Sequence, residues 1–430
     1  MSDTRTLTDR TSRPCPRCAT PIDSDPRFTD WCPGCEWNLG ARPAKGRLRQ
    51  RRRARDLARV ERLYATLAAE DPAAGGDRGA AWVAAMLLAT LVHLVTLAVL
   101  AGSVLLLVRG YPFLQGVGLV GLGLVWLLRP RLGRWRTDAA ELTREQAPAL
   151  HGLVDRVAEE LGVRRPDRIR ITDSYNASYA RIGLRRRVSL TLGLPLWTAL
   201  TGPERLALLG HELGHGRNGD VRRGFWLDLA LRTLEAWYHV LRPNPGDARR
   251  LRTTRKRLLD ELVTWLLLWI ALPVRLAHRS LYRLTALSGQ RAEYRADDLA
   301  ARVGSSAAAA GMLDKLFLAD SVRLRVAQQR SAGQVRRPTA GGAVEEEFWT
   351  GLAAYLESVP PAERARRARI GEREMTAVDT SHPPTHLRVR LRGERPAQAA
   401  AVTADRAEWQ RIADELAPAR RRVARALLGI

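Results

Sequence analysis

The longest apolar pattern in the chain lies in its first third. No charged residue occurs from Gly79 to Val108, and a second uncharged run extends from Gly110 to Leu128. About 20 apolar residues are enough for a helix to cross a bilayer, and Tyr111-Pro112 suits a tight turn between two such helices. The pattern therefore predicts a transmembrane helical hairpin over residues 80–129. The alternative is a buried helical hairpin of a soluble protein.

Elsewhere the spacing of apolar residues predicts helices, and the fold class is mainly α with a small β-sheet (α+β). Thr201-Gly-Pro-Glu204 is typical of a helix start, because it combines a capping threonine, an early proline and a glutamate three residues on. That helix should extend from Arg205 to about His215. Polar and small residues dominate from Asp320 to Thr380, which favours a mobile loop near the functional site. The C-terminal segment, 391–430, looks helical.

Charge changes the interpretation of the apolar stretch. The net charge is +25, and arginines cluster just before the hairpin, within residues 47–55, and just after it, within residues 129–136. Basic residues mark the cytoplasmic flanks of membrane helices, so the N-terminal segment and everything after Leu128 should face the cytoplasm. Nucleic-acid binding is the competing explanation of the charge. It is disfavoured because no aromatic stacking platform accompanies the arginines.

All four cysteines lie near the N-terminus, as two CxxC pairs: Cys15 with Cys18, and Cys32 with Cys35. This spacing is typical of a zinc ribbon, in which four thiolates surround one structural zinc ion. Disulfides are the alternative, but the predicted cytoplasmic compartment is reducing. The charges between the pairs are mostly acidic, so the ribbon is interpreted as a small docking module and not as a DNA-binding one.

Two histidines stand four residues apart in "LLGHELGH", residues 208–215. On a helix, His211 and His215 project from the same face and can both reach one zinc ion. Glu212 between them is suited to accept a proton from water, as in the HExxH pattern of zinc peptidases. The alternative is a pair of surface histidines, but the leucines around them predict a buried helix.

A catalytic zinc needs a third protein ligand. A third histidine at the usual spacing is absent, because position 221 is Val221. The best candidate lies in "AEYRADDLAAR", residues 292–302, which is predicted to be helical with Glu293 and Asp297 on one face. Glu293 could bind zinc while Asp297 accepts a hydrogen bond from a histidine ligand. A solvated helical glutamate is the alternative.

Taken together, these residues resemble the HtpX-like and CAAX-prenyl-protease-type integral-membrane zinc endopeptidases. The resemblance rests on four separated motifs from about Ala140 to Arg390: the Asn176-Ala177 pair, "HELGHGRNGD", "EYRAD" and "SHPPTHLRV". It implies a gluzincin-type catalytic domain. The added four-cysteine ribbon and Ala292, where the family often has arginine, depart from the family pattern.

The resemblance also implies roles for individual residues. The zinc ligands would be His211, His215 and Glu293, with Glu212 as the catalytic base and Asp297 behind a histidine ligand. Asn176 and Ala177 would lie on an edge strand that binds substrate backbone, within an extended piece that turns back near Gly183. His382 and Arg388 would lie near the cleft, where either could stabilise an oxyanion.

The predicted domain organisation combines these segments. It consists of a zinc ribbon (1–44), a basic juxtamembrane helix (45–79), the transmembrane hairpin (80–129), a zinc metallopeptidase domain (130–390) and a C-terminal helical tail (391–430). Within the peptidase domain, residues 225–287 are expected to form membrane-associated helices. Whether 225–241 and 258–276 cross the bilayer is left open, because the first carries charges and the uncharged run of the second, Leu262 to Val274, is too short to span unaided.

The sequence thus predicts a multi-pass protein of the cell (inner) membrane with its N-terminus and catalytic domain in the cytoplasm. It would be a zinc endopeptidase that binds one catalytic and one structural Zn²⁺ and cleaves unfolded or membrane proteins. Its expected partners are protein or peptide substrates and the lipid bilayer, with no nucleic acid and an undetermined oligomeric state. The alternative is a catalytically inactive, membrane-tethered zinc-ribbon adaptor.

Overall fold

The structure, a computed structural model, describes residues 11–40, 46–69, 80–129, 138–183, 185–217, 221–241, 257–335, 343–374 and 383–430. The strands are β1 (Thr11–Pro14), β2 (Pro21–Ser24), β3 (Glu141–Leu142), β4 (Arg168–Thr172), β5 (Ala177–Ile182) and β6 (Arg187–Gly193). The first seven helices are α1 (Arg47–Ala69), α2 (Ala80–Arg109), α3 (Pro112–Leu128), α4 (Pro148–Glu160), α5 (Leu194–Ala199), α6 (Gly202–Arg217) and α7 (Val221–Leu241). The remaining helices are α8 (Arg257–Gly304), α9 (Ser306–Leu316), α10 (Ala319–Val335), α11 (Ala343–Ser358), α12 (Pro361–Glu374), α13 (Thr385–Glu394) and α14 (Arg406–Leu428).

The chain forms two compact units that are discontinuous in sequence. The first comprises Met1–Ala73, Arg136–Arg217 and Gln290–Ile430, and the second comprises Ala74–Trp135 and Asn218–Gly289. The observed fold is mostly helical with a small sheet, which confirms the predicted fold class. The domain boundaries given above stay predictions.

The core of the first unit is built on a four-stranded sheet in the order β3-β4-β6-β5. Strand β4 runs parallel to β6, and β5 runs antiparallel to β6, which leaves β5 at one edge. Helix α4 carries Leu150, Leu153, Val154 and Val157 at helical spacing, and all four are fully buried. These side chains and the sheet bury α6, the helix that contains both histidines of the HExxH pattern.

The prediction of a mobile loop from Asp320 to Thr380 is wrong for its described part. Most of residues 319–374 lie in α10, α11 and α12, with residues 336–342 and 375–380 outside the described residues. Phe348, Trp349, Leu352 and Leu356 occur at helical spacing and are buried in the core. The abundance of small and charged residues obscured this periodicity in the sequence.

The C-terminal segment forms helix α14, and it is part of the same core. The Asp405 carboxylate caps its N-terminus by accepting a hydrogen bond from the Glu408 N–H at 2.7 Å. Its apolar face contributes Ile412, Leu416 and Val423 to the core of the first unit. Helix α14 therefore contributes to the stability of the unit that contains the histidines.

The second unit contains the apolar hairpin. Helices α2 and α3 pack closely, and a Cβ added at Gly118 would lie 2.7 Å from the Ser103 carbonyl oxygen. Among the described helices, α2 is long and apolar enough to cross a membrane, and α3 is a shorter apolar helix. Large apolar side chains on both helices are exposed, such as Leu87 (67%) and Leu119 (66%). An exposed apolar surface of this kind is typical of contact with lipid or another protein.

Candidate metal centre

Helix α6 holds the two histidines one turn apart. Its start has the predicted capping arrangement, in which the Thr201 N–H donates to Glu204 Oε2 at 2.7 Å. Inside the helix the rings of His211 and His215 lie edge to face, with centroids 4.9 Å apart. His211 and Glu212 are buried, whereas His215 is partly exposed. The centre is therefore accessible from the His215 side.

Small residues bring the C-terminal part of α8 close to α6. A Cβ added at Gly210 would lie 2.8 Å from Val303 Cβ, and one added at Gly214 would lie 3.4 Å from Ala296 Cα. Only glycine permits the approach at Gly210 without displacement of a neighbour. Small residues at i and i+4 allow helix backbones to approach closely in this way. This contact extends to Ala296, one turn after Glu293, and so brings Glu293 to the histidines.

Three potential metal ligands converge at this contact. Glu293 Oε2 lies 3.5 Å from His211 Nε2, and Glu293 Oε1 lies 3.6 Å from His215 Nε2. The ligand atoms of all three residues lie within 4.8 Å of one another. A tetrahedral zinc with nitrogen and oxygen ligands requires ligand separations of about 3.4 Å, so the two distances and the donor set fit Zn²⁺.

Asp297 and Arg388 form a buried pair behind His211. The Arg388 guanidinium donates two hydrogen bonds to the Asp297 carboxylate, at 2.8 and 2.6 Å. The other partner of the carboxylate is the His211 ring, whose Nδ1 lies 3.0 Å from Asp297 Oδ1. Because Nδ1 faces Asp297, Nε2 is the nitrogen directed toward Glu293. This is how an outer carboxylate orients a histidine ligand.

The electrostatics of this pair keep both side chains charged. Burial opposes ionisation of Asp297, but the adjacent Arg388 and hydrogen bonds from Arg388 and His211 hold the pKa of Asp297 well below its usual range. Burial likewise disfavours charged Arg388, yet the Asp297 carboxylate raises the pKa of the guanidinium. Removal of either partner would leave an uncompensated buried charge.

A second acid–arginine pair lies beside the first. Arg392 follows Arg388 by one turn of α13, and its guanidinium contacts the Asp298 carboxylate. Arg392 and Asp298 were missed in the sequence. The sequence signal that could have revealed this pair is the Asp297-Asp298 doublet together with two arginines spaced i and i+4. Two adjacent acids on one helix can pair with two bases one turn apart on another helix. These pairs attach α13 to α8.

The edge strand β5 lies next to the end of α6 that carries His215. The Tyr179 hydroxyl packs against Gly216, where an added Cβ would lie 3.1 Å from it. Arg181 also donates to the Gly216 carbonyl at 3.4 Å. Ala177 is the first residue of β5, and Asn176 precedes it and accepts a hydrogen bond from the Gly193 N–H at 2.9 Å. A strand edge therefore passes close to the metal centre.

The structure brings together His211, His215, Glu293, Asp297 and Arg388. The Arg388 side chain is only 1% exposed, and its Nη2 lies 3.9 Å from Glu293 Oε2. His382, the other residue suggested to stabilise an oxyanion, lies outside the described residues.

A separate group of potential ligands is formed by the four cysteines. Cys15 Sγ lies 3.7 Å from Cys35 Sγ, and Cys18 Sγ lies 3.5 Å from Cys32 Sγ. All four sulfur atoms lie within 4.8 Å of one another. A tetrahedral Zn–S₄ site has sulfur separations of about 3.8 Å, so the cluster fits the predicted zinc ribbon.

Comparison with known families bears directly on the first centre. The profile of Peptidase family M48 matches residues 144–393, which is more than half of the chain and includes all five residues at the centre. The chain belongs to peptidase family M48. This M48 chain is thus a member of a metallopeptidase family, and the HtpX-like resemblance is confirmed.

Part of the chain is similar to a named protein. Over 103 residues, the M48 chain is 36% identical to "Protease HtpX homolog" of Moorella thermoacetica, a stretch that covers 23% of this chain and 33% of the relative. The chain thus matches about a third of that relative's length. No solved structure matches the chain. The family, the relative and the apolar helix α2 together support a membrane-associated metallopeptidase.

Proposed function

We propose that this M48 chain is a zinc-dependent endopeptidase with one catalytic and one structural zinc ion. The observation that carries the proposal is the convergence of His211, His215 and Glu293 within 4.8 Å at a largely buried site. A His₂Glu donor set supplies three protein ligands, and catalytic zinc sites keep the fourth position open. The structural zinc would be held by Cys15, Cys18, Cys32 and Cys35.

Hydrolysis would combine the metal with a carboxylate base. Zinc bound at a His₂Glu centre supplies Lewis-acid chemistry that polarises a scissile carbonyl and lowers the pKa of water. Glu212, buried on α6 between the two histidines, would accept the proton of the attacking water. The same carboxyl group would then pass that proton to the leaving amine.

Asp297 and Arg388 would act through His211. Asp297 accepts the hydrogen bond from Nδ1, which keeps Nε2 directed at the centre, and Arg388 keeps Asp297 ionised and in place. The burial of Arg388 supports this positioning role in preference to direct contact with an oxyanion. Oxyanion stabilisation would therefore fall to His382.

The substrate would bind as an additional strand on β5. Among the described strands β5 is the last of its sheet, so its outer side can pair with an added strand, and it passes beside His215. Strand addition aligns an extended peptide without reading its sequence, because the hydrogen bonds are made by the main chain. Asn176 and Ala177 stand at the start of this edge. This geometry favours unfolded protein segments over folded domains as substrates.

The membrane arrangement is also part of the proposal. Helices α2 and α3 would cross the bilayer as a hairpin of the cell (inner) membrane, since α2 is long and apolar enough and both helices expose apolar side chains. Basic residues outside both ends would keep the ribbon and the peptidase unit in the cytoplasm. Substrates would then be unfolded or membrane proteins reachable from the cytosolic side.

Proteolysis by the full-length protein, purified in detergent, tests the proposal. Casein cleavage and self-cleavage should be inhibited by phenanthroline and should fall about 10²–10⁴-fold in Glu212→Gln, because that change removes the base and preserves shape. Glu159→Gln, on the exposed end of α4, is the matched control and should cleave normally. A wild-type protein that binds unfolded protein but does not cleave it would favour the inactive adaptor.

A further inference from the structure

The zinc ribbon is attached to the peptidase unit through residues far away in sequence. Trp31 Nε1 donates to the Ala362 carbonyl at 2.9 Å, and Arg366 Nη1 donates to the Leu39 carbonyl at 3.0 Å. The Trp31 and Arg366 side chains are buried in this contact. The ribbon is therefore not a free module on a tether, since its last knuckle lies against helix α12.

Charged contacts extend the same interface. Glu36, in the second cysteine knuckle, accepts hydrogen bonds from Arg369 at 2.6 Å and from Arg373 at 2.7 Å. On the neighbouring helix α11, the Ser358 hydroxyl accepts a hydrogen bond from Arg27 at 3.1 Å. The ribbon thus contacts both helices of the α11–α12 hairpin.

Helix α12 has little apolar surface with which to pack on its own. Its sequence, PAERARRARIGERE, contains five arginines and three glutamates, and Ile370 is its one large aliphatic residue. A helix that is polar on all sides needs specific polar partners to stay in place. Within α12, Glu363 binds Arg366 and Arg367. Many of the polar partners outside the helix belong to the ribbon.

An adjacent side of α12 faces residues that connect to the metal centre. Arg367 and Gly371 line a cavity of about 290 Å³ together with Tyr175 and Thr385. Tyr175 immediately precedes Asn176 of the proposed substrate edge, and Thr385 begins α13, the helix that carries Arg388. Displacement of α12 would therefore remove a wall next to both features.

We propose that the ribbon zinc is an intramolecular brace for the peptidase: by ordering the Cys32–Leu39 knuckle it holds α12 against the start of α13. Arg388, Asp297 and His211 then stay aligned. The ribbon knuckle is small and carries few apolar residues, so zinc binding supplies most of its folding free energy. Loss of the ribbon zinc would disorder the knuckle first, then α12, and would weaken the distant His₂Glu centre without any change in its residues. The brace rests on the proposed function only for the identity of that centre.

The test uses full-length protein purified in detergent and compares wild type with a Cys15→Ser/Cys18→Ser variant. Zinc per chain should fall from about two to about one. Amide hydrogen exchange should rise about tenfold or more in α12 and α13, while α4 in the sheet core keeps its protection. Unchanged exchange in α12 and α13 after loss of the ribbon zinc would overturn the brace. Neither measurement depends on hydrolysis. The brace proposal can therefore be refuted while the proposed function holds, and the proposed function can be refuted while the brace proposal holds.

A second variant separates the interface from the folding of the ribbon. Glu36→Gln keeps all four cysteines but removes the charge that binds Arg369 and Arg373, so both zinc ions should stay and exchange in α12 should still rise about threefold to tenfold. Asp23→Asn, an exposed acid of the ribbon hairpin, is the matched control and should leave exchange unchanged. The double cysteine variant could unfold throughout, in which case amide exchange would rise in α4 as well. The Glu36→Gln variant is then the deciding test, and no increase in α12 exchange in that variant would refute the brace.

Discussion

The two candidate metal sites of this chain are built in different ways. The four cysteines all lie between Cys15 and Cys35, in a ribbon that contains the β1–β2 hairpin, and local folding alone can assemble them. The His₂Glu centre instead takes two ligands from α6 and a third, Glu293, from the distant helix α8. It can form only after the core of the first unit has packed.

This difference corresponds to different chemistry. Four thiolates saturate a tetrahedral zinc ion and leave no room for substrate, which suits a structural site. Three protein ligands would leave one position of a tetrahedral zinc ion for water or substrate, next to the proposed base Glu212. The local site should therefore tolerate changes in the peptidase core, whereas the His₂Glu centre should be sensitive to any change that separates α6 from α8.

The largest effect should come from loss of the third ligand. Glu293→Gln should reduce casein cleavage by more than about 100-fold, because even loss of an outer partner costs about 10–100-fold. Zinc per chain should fall from about two to about one, with the ribbon zinc retained. Metal analysis and the cleavage assay check this. Retention of both zinc ions together with full activity would contradict the assignment of Glu293.

A smaller effect is expected behind the ligands. Asp297→Asn should weaken zinc binding at the His₂Glu centre by about 10–100-fold, because the neutral amide is a weaker acceptor for the His211 Nδ1–H and leaves Arg388 uncompensated. Competition with a chelator measures this affinity. Asp320→Asn, on the exposed start of α10, is the control. Equal zinc affinities in the two variants would show that Asp297 does not position the ligand.

The close approach of α6 and α8 gives a third prediction. Gly210→Val introduces a branched side chain where even a Cβ would lie 2.8 Å from Val303 Cβ. Overpacking of this kind costs about 1–3 kcal/mol in the free energy of unfolding, and it should also lower zinc retention at the His₂Glu centre. Gly152→Val on α4, where an added Cβ meets nothing within 4 Å, is the matched control. Thermal unfolding and zinc analysis would detect the difference, and identical behaviour of the two variants would count against the packing argument.

The smallest effect concerns the stability that the core loses at acid pH, as distinct from the release of metal from the two metal sites. Burial lowers the pKa of His151 from its ordinary value of 6.5, and its Nε2 donates to the Leu142 carbonyl at 3.0 Å. The unfolded chain then binds the proton more readily, so the free energy of unfolding contributed by neutral His151 is present above about pH 6.5 and is lost as pH falls below it. His151→Gln should flatten the pH dependence of unfolding between about pH 7 and 5.5, measured by denaturant titration with metal in excess. An unchanged slope would mean that other groups carry the acid sensitivity.

The sequence predicted much of the local structure. The hairpin helices, the capped start of α6, the helix over residues 292–302 and the cysteine cluster were all predicted, because each depends on residues close together in sequence. The helices between residues 319 and 374 were not predicted. Their apolar residues are few and are separated by charges. Helices α10 and α11 are held by burial in the core with α14, and α12 is held by polar contacts with the ribbon.

The sequence by itself determined the chemistry available to this protein: two imidazoles one turn apart with a glutamate between them, and four thiols at ribbon spacing. The sequence offered Glu293 as the best third ligand, but only the tertiary structure decided that its carboxylate meets the histidines and that Arg388 lies buried on Asp297. The physical reason is that a local motif specifies which groups share a helix face. Which helix faces come into contact depends on packing across the whole core. Here it depends on the fit of Gly210 and Gly214 against α8.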